Sequence, residues 1–190
     1  MENLAAEVVI VGGGPAGLTA AIALAEAGIA TALVAPRTAT PDNRTTALLA
    51  GSVTALDTLG IWQRCRAQAA PLRTLRIVDD TSRLLRAPEL RFAASEIGLD
   101  AFGHNIENQY LIAALDARAR ELPALTLIED AAETVAVEDT EVTVRLKIGA
   151  SLSARLAIGA DGRRSLCRAA AGIATEGWSY PQIALTFNLS

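Results

Sequence analysis

A chain of 190 residues with 51% apolar side chains can bury a sizeable core, and its net charge of -4 weighs against a nucleic-acid-binding surface. Sixteen of the 17 cationic residues are arginines scattered along the chain, with Lys147 the one lysine. Two distant cysteines, Cys65 and Cys167, and a single histidine, His104, weigh against a zinc cluster and a Ser-His-Asp relay, and they suit a reducing compartment.

The first stretch, Glu7 to Arg37, reads as strand, glycine turn, helix and strand. Val8 to Val11 is a β-branched run, long enough for a buried parallel strand and too short for a helix. Gly12, Gly14 and Gly17 give G-x-G-x-x-G at the mouth of a helix expected over Pro15 to Ala27. Gly12 serves the tight turn, Gly14 lets a pyrophosphate approach the backbone, and Gly17 lets helix and strand pack closely. Pro15 suits the first turn, and the amides around Ala16 point a partial positive charge at a phosphate. Gly28 ends the helix, and Ile29 to Ala35 form the second strand. The segment 8–35 has one charge, Glu26, but three consecutive glycines and Pro15 argue against a membrane span. The acidic start MENLAAE lacks the positive region of a signal peptide, so a cytoplasmic protein is expected, with the inner face of a membrane as an alternative resting place.

A dinucleotide site of this kind ordinarily has an acid at the end of the second strand for the ribose hydroxyls, and this chain has Ala35. Arg37, two residues on, either meets a 2′-phosphate or is a solvated loop residue.

A polar loop, Pro36 to Arg44, leads to Thr45, Thr46 and a segment of helical composition, Ala47 to Leu59. Arg44 beside two threonines has the chemistry of a phosphate or ring-edge contact, or of a surface arginine near a cap. A short helix follows over Ile61 to Ala70, stopped by Pro71. Leu72 to Val78 and Arg83 to Arg86 read as two strands around a DDTS turn, with Arg73, Arg76, Arg83, Arg86 and Arg91 on a solvated sheet face or at an acidic-substrate site. Asn108 caps a helix expected over Gln109 to Glu121, which would let the Gln109 amide face a ligand. Leu125 to Ile128 is a further short strand.

From Ala131 to Gly159 a period-2 pattern through Val135, Val137, Val142, Val144, Leu146, Leu152, Ala154 and Leu156 predicts a three-stranded antiparallel meander. Its last strand runs into Gly159-Ala160-Asp161-Gly162 and a second strand-to-turn-to-helix passage. Ile183 to Leu189 reads as a final strand whose edge would lie open, suggesting the front portion of a longer enzyme.

With both turns in hand, the chain resembles the flavin-dependent aromatic hydroxylases of the para-hydroxybenzoate hydroxylase fold, and among them the hydroxylases of ubiquinone biosynthesis. The resemblance rests on VVIVGGGPAGLTAAIALAEAG, RTTALLAGS (44–52), NIENQYLIAAL (105–115) and GADGRRSLCR (159–168), the last fitting D-G-x-x-S-x-x-R. It implies an α/β fold: a Rossmann-like FAD-binding domain with the meander (1–71 and 105–175), plus part of a β-sheet substrate domain (72–104 and 176–190). It implies FAD as cofactor and NAD(P)H as reductant, with O2 and a small aromatic or prenylated phenol as substrates. Gly12, Gly14, Pro15, Ala16, Gly17, Arg37, Arg44, Thr45, Gln109, Asp161 and Gly162 would contact the cofactors. No side chain is required as a nucleophile, no metal is expected, and His104 reads as structural. Peripheral association with a membrane or a biosynthetic complex is a further implication.

Three departures from the family pattern stand out: Ala35 in place of the acid, Gln109 where an arginine is common, and no Gly-Asp segment closing the flavin site. The 190 residues alone are therefore expected to be inactive. A non-catalytic nucleotide-binding or scaffolding subunit and a flavin-dependent prenyl reductase are the alternatives.

Overall fold

The computed structural model describes residues 3–36 and 42–183. In chain order the elements are β1 (Asn3–Val11), α1 (Pro15–Glu26), β2 (Thr31–Val34), β3 (Thr45–Leu49), α2 (Ala50–Thr58), α3 (Trp62–Cys65), β4 (Ala70–Pro71), β5 (Thr74–Ile77) and β6 (Leu90–Ala93). They continue with β7 (Gly103–Glu107), α4 (Asn108–Ala119), β8 (Leu125–Ile128), β9 (Ala132–Val137), β10 (Val142–Leu146), β11 (Ser151–Gly159) and α5 (Leu166–Ala170). Two compact units result, Met1–Asp42 with Ile112–Ser190, and Asn43–Leu111, the division falling within α4.

The first unit holds a six-stranded sheet in the order β8-β2-β1-β11-β10-β9. β1 lies between β2 and β11, parallel to both, with Val11 paired to Val34 on one side and to Gly159 on the other. That register brings the ends of β1 and β11 level, so the loops that follow them start side by side. β9, β10 and β11 form the expected antiparallel meander. Val9, Val11, Ala32, Val34, Val144, Leu146, Leu152 and Ala154 pack as one buried cluster. Removing such side chains from water stabilises the fold by roughly 1.5–3 kcal/mol for each large one. α1 buries Gly17, Leu18, Ala21, Ile22 and Ala25, the spacing of one helical face, and packs on β1 and β2. Its C-terminal Glu26 is ion-paired with Arg118 of α4. Gly28 follows in the left-handed region at φ +81° and turns the chain into β2.

In the second unit β3 and β4 both pair antiparallel with β7, and β5 pairs with β6. Ile61, Trp62, Cys65 and Ile106 are buried here, and the His104 ring meets Trp62 edge-on at 5.1 Å. β3 and β7 come so close that a Cβ on Gly103 would lie 2.0 Å from the Leu48 carbonyl oxygen.

Three local expectations change. The helix expected over Ala47 to Leu59 starts only at Ala50, because Thr45–Leu49 pairs residue for residue with Glu107–Gly103. Strand pairing overrides the helical composition of Ala47, Leu48 and Leu49. Arg83 to Arg86 is not a strand; the partner of β5 is Leu90–Ala93. The Asp79 carboxylate accepts hydrogen bonds from the amides of Thr81 (3.1 Å) and Ala87 (3.1 Å), tying the neck of a long loop and delaying the return strand. The helix over Ile61 to Ala70 shortens to α3 and a 3-10 turn at Arg66–Gln68 before β4 begins. The final strand expected over Ile183 to Leu189 lies, apart from Ile183, outside the described residues.

Candidate functional site

The two glycine-bearing bends of the first unit meet. Gly12 has φ +117°, and a Cβ placed on it would lie 2.2 Å from the Ala160 carbonyl oxygen and 2.8 Å from the Asp161 amide nitrogen. A Cβ on Gly17 would lie 1.9 Å from the Gly12 carbonyl oxygen and 3.2 Å from the Ala160 Cβ. The loop after β1, the start of α1 and the loop after β11 are thus stacked backbone on backbone, with no room for a methyl group. The Gly12 amide donates to the Val34 carbonyl at 2.9 Å and the Ala160 amide to the Val11 carbonyl at 2.8 Å, locking both bends to the strand ends.

Gly14 differs. Its backbone is extended (φ -73°, ψ 176°), and a Cβ there would meet nothing within 4 Å. Helix geometry leaves the Ala16 and Gly17 amides without an intrahelical acceptor, and no side chain caps α1. Pro15 occupies the first helical turn, and Thr19 Oγ1 donates to its carbonyl at 2.7 Å. Helix-end amides with positive dipole character thus border open space beside a glycine, a cradle whose donors and shape suit a phosphate group. Ala35 begins beside this turn, since a Cβ on Gly13 would lie 2.6 Å from the Ala35 Cβ.

The second bend is built otherwise. Asp161 Oδ2 accepts hydrogen bonds from the amides of Leu166 (2.6 Å) and Cys167 (3.0 Å), and Ser165 Oγ accepts one from the Arg168 amide (2.9 Å). Arg168 Nη2 donates in turn to the Arg163 carbonyl at 3.0 Å, and Gly162 supplies the positive φ of +78° that the turn needs. D-G-x-x-S-x-x-R is therefore the spacing of a self-capped helix start. Burial would push the Asp161 carboxyl up, but hydrogen bonds from Ser165 and the Cys167 and Leu166 amides hold it below its ordinary value. Burial, reinforced by the Asp161 charge, pushes the Cys167 thiol up to about 11, and burial also raises Cys65. Neither thiol is poised as a nucleophile.

Gly159 was not singled out from sequence, yet a Cβ on it would lie 2.6 Å from that of Cys167, so α5 rests directly on the end of β11. Its position just before Ala160 and Asp161 was the signal available.

Arg44, Thr45 and Gln109 belong to the second unit. Arg44 and Thr45 are exposed, and the Arg44 carbonyl accepts from the Asn108 amide at 2.8 Å. Thr46 Oγ1 and Asn108 Oδ1 share a hydrogen bond, while Gln109 Nε2 donates to Glu107 Oε2 at 2.6 Å. A cleft of about 430 Å³ in this unit brings together Arg73, Asp100 and His104, and none of Arg44, Thr45 or Gln109 lines it. Arg37 lies outside the described residues. No group of three or more His, Cys, Asp or Glu side chains able to hold a metal occurs among the described residues.

A family model described as "FAD binding domain" matches residues 5–188. The chain is 36% identical to the ubiquinone hydroxylase UbiL of Rhodospirillum rubrum over 97% of its own length and 43% of that protein. It is 34% identical to the 3-demethoxyubiquinol 3-hydroxylase of Escherichia coli, over 96% of this chain and 48% of that one. It thus spans a little under half the length of these curated relatives, 43% and 48%. Among solved structures, the flavin-dependent monooxygenase PieE, in complex with FAD and substrate, superposes with a TM-score of 0.73 at 28% identity, over 94% of this chain and 34% of that one. The p-nitrophenol 4-monooxygenase PnpA of Pseudomonas putida shares the fold, with a TM-score of 0.77 at 24% identity over 95% of this chain and 46% of the other.

Proposed function

This chain belongs to the FAD binding domain family, and we propose on that premise that it is the nucleotide-binding portion of an FAD-dependent monooxygenase. The whole protein would use NAD(P)H and O2 to hydroxylate a polyprenylated phenol in ubiquinone biosynthesis. The observation that carries the proposal is the stacking of the Gly12 and Ala160–Asp161 backbones, with the uncapped start of α1 opening beside them.

In this reading the Ala16 and Gly17 amides donate hydrogen bonds to the pyrophosphate, and the absent side chain at Gly14 lets it come close. Gly12 and Gly17 fix the bend so that the donors need no rearrangement on binding. Asp161 Oδ2 holds the start of α5 in place, while its Oδ1, buried with no hydrogen-bond partner, is proposed together with Gly162 as a cofactor contact. Arg37, Arg44, Thr45 and Gln109 are proposed as cofactor contacts on the strength of their motifs alone. When bound, FAD reduced by NAD(P)H activates O2 for insertion of one oxygen atom into an aromatic ring. The protein's task is then to orient the ring and exclude water, which agrees with cysteines held protonated and no nucleophile among the residues assigned. Peripheral association with the inner face of a membrane or with a biosynthetic complex is part of the proposal, because a polyprenylated substrate partitions into lipid.

The test is reconstitution of the whole protein with FAD, NAD(P)H, O2 and a polyprenylated phenol. Flavin absorbance on the protein and a product carrying one added oxygen are expected. Absence of flavin after FAD is supplied would contradict the cofactor assignment. Bound flavin without NAD(P)H-dependent product would instead favour a non-catalytic subunit, the reading that Ala35 supports.

A further inference from the structure

The adenosine end of the first bend lacks the charge that a dinucleotide site of this topology ordinarily has. Ala35 follows β2 directly; its amide donates to the Ile128 carbonyl at 3.1 Å, and its Cβ lies 2.6 Å from where a Cβ on Gly13 would stand. Any side chain at position 35 therefore starts against the glycine turn, beside the open space in front of α1. A carboxylate at that place accepts hydrogen bonds from the ribose hydroxyls and repels a phosphate on the 2′ oxygen. Here the position holds a methyl group.

Among the described residues no other acid takes its place. Gly12 to Gly17 contain none, and neither does the first turn of α1. The chain leaving β2 has no acid until Asp42. β8 adjoins β2 with Ile128 level with Val34, and Glu129 and Asp130 follow it. Both are engaged within the chain: Glu129 Oε1 accepts from Arg120 Nη2 at 3.2 Å, and Asp130 Oδ2 from the Ile148 amide at 3.0 Å. Arg120 follows α4 and also donates to Asp116 through Nε at 2.8 Å, so Glu129 is drawn toward that helix. Asp161 follows β11, and β1 separates it from the β2 side of the cradle.

We infer that the ribose end of this cradle is neutral at residue 35 and admits adenine dinucleotides whether or not the 2′ oxygen bears a phosphate. Ala35 is then the residue that sets which dinucleotides can enter the FAD seat. The FAD seat assigned above is the premise; what is added is that it stays open to 2′-phosphorylated dinucleotides, the class of one of the two proposed reductants. A carboxylate at position 35 would meet such a phosphate at close range, where like charges oppose binding strongly. A methyl group imposes no selection by charge. The pyrophosphate donors, the Ala16 and Gly17 amides, are the same for both classes.

The test is displacement of FAD from the whole protein by ADP-ribose and by ADP-ribose 2′-phosphate, read as the return of free-flavin fluorescence. In the wild type the two competitors should act at concentrations within about threefold of each other, since no charge selects between them. In Ala35→Glu the 2′-phosphorylated competitor should weaken at least about tenfold relative to the other. Ala35→Gln, matched in size but uncharged, should keep the two level. A larger preference for ADP-ribose in the wild type would overturn the inference, as would an unchanged ratio in Ala35→Glu. So would a ratio in Ala35→Gln equal to that in Ala35→Glu, which would make the selection steric, or no displacement by either compound. A whole protein that takes up no FAD at all would contradict the cofactor assignment itself, so the two failures are told apart.

Discussion

The two bends that meet at the end of the parallel strands lead into helices that treat their own N-termini in opposite ways. α1 starts at Gly14 with no side-chain cap and open space before it, whereas α5 starts with its amides taken up by Asp161 and Ser165. An uncapped helix start in a packed protein costs stability unless water or a ligand meets the amides, and the capped one has no such need. Under the proposed function the first bend is the one whose helix amides are open to a ligand, whereas the α5 amides are already taken up within the chain.

The comparison breaks most visibly at Gly12. Gly12→Ala puts a methyl group against the Ala160 carbonyl at a left-handed backbone position, and the two penalties together should cost at least about 3 kcal/mol. Urea unfolding checks this; a loss below about 1 kcal/mol would mean that the bends are not locked together. Next comes Asp161→Ala, which strips two amides of their acceptor and should cost about 1–2 kcal/mol. The same group sets an acid limb. Because the folded carboxyl lies below its ordinary value of 3.8, its contribution is full above that pH and fades as pH falls through the lowered value. Asp161→Asn should flatten that limb in a stability-versus-pH series. Ser165→Ala removes the cap bond to the Arg168 amide and the hydrogen bond from Ser165 to the Asp161 carboxylate, and should cost about 1 kcal/mol in the same unfolding assay.

A gain sharpens the contrast as well. Ala35→Glu restores an acid beside the glycine turn, and a charge-assisted hydrogen bond to ribose should tighten FAD binding about tenfold, read by flavin fluorescence titration. Unchanged affinity would place the ribose away from residue 35.

Much of the first bend was legible in the sequence because backbone packing dictates it. Where chain segments stack within 2–3 Å of a missing Cβ only glycine fits, so Gly12 and Gly17 of the G-x-G-x-x-G record the geometry directly, whereas the Cβ position of Gly14 is open. The meander was legible for a similar reason, since one covered face imposes a period of two. β3 was not, because the composition of Thr45–Leu49 suits a helix and its strand character comes from β7, more than fifty residues away. The capping role of Asp161 was not legible for another reason: a capping acid and a ligand-binding acid have the same side chain, and only the amides of Leu166 and Cys167 show that Oδ2 caps α5, while Oδ1 is buried without a partner. The loop after β5 hid its length in the same way, through the Asp79 bonds that hold its neck.

Gly14 separates fold from binding most cleanly. Its backbone is ordinary and its Cβ position is open, so Gly14→Val should leave the melting temperature of the free chain unchanged while placing a branched side chain where the pyrophosphate would approach. The decisive measurement is the shift in melting temperature on adding FAD, wild type against Gly14→Val. A ligand-induced rise in the wild type that vanishes in the variant is expected, since only a ligand bound to the folded state raises stability. Equal rises in both proteins, or none in the wild type, would contradict the assignment of this helix start as the phosphate site.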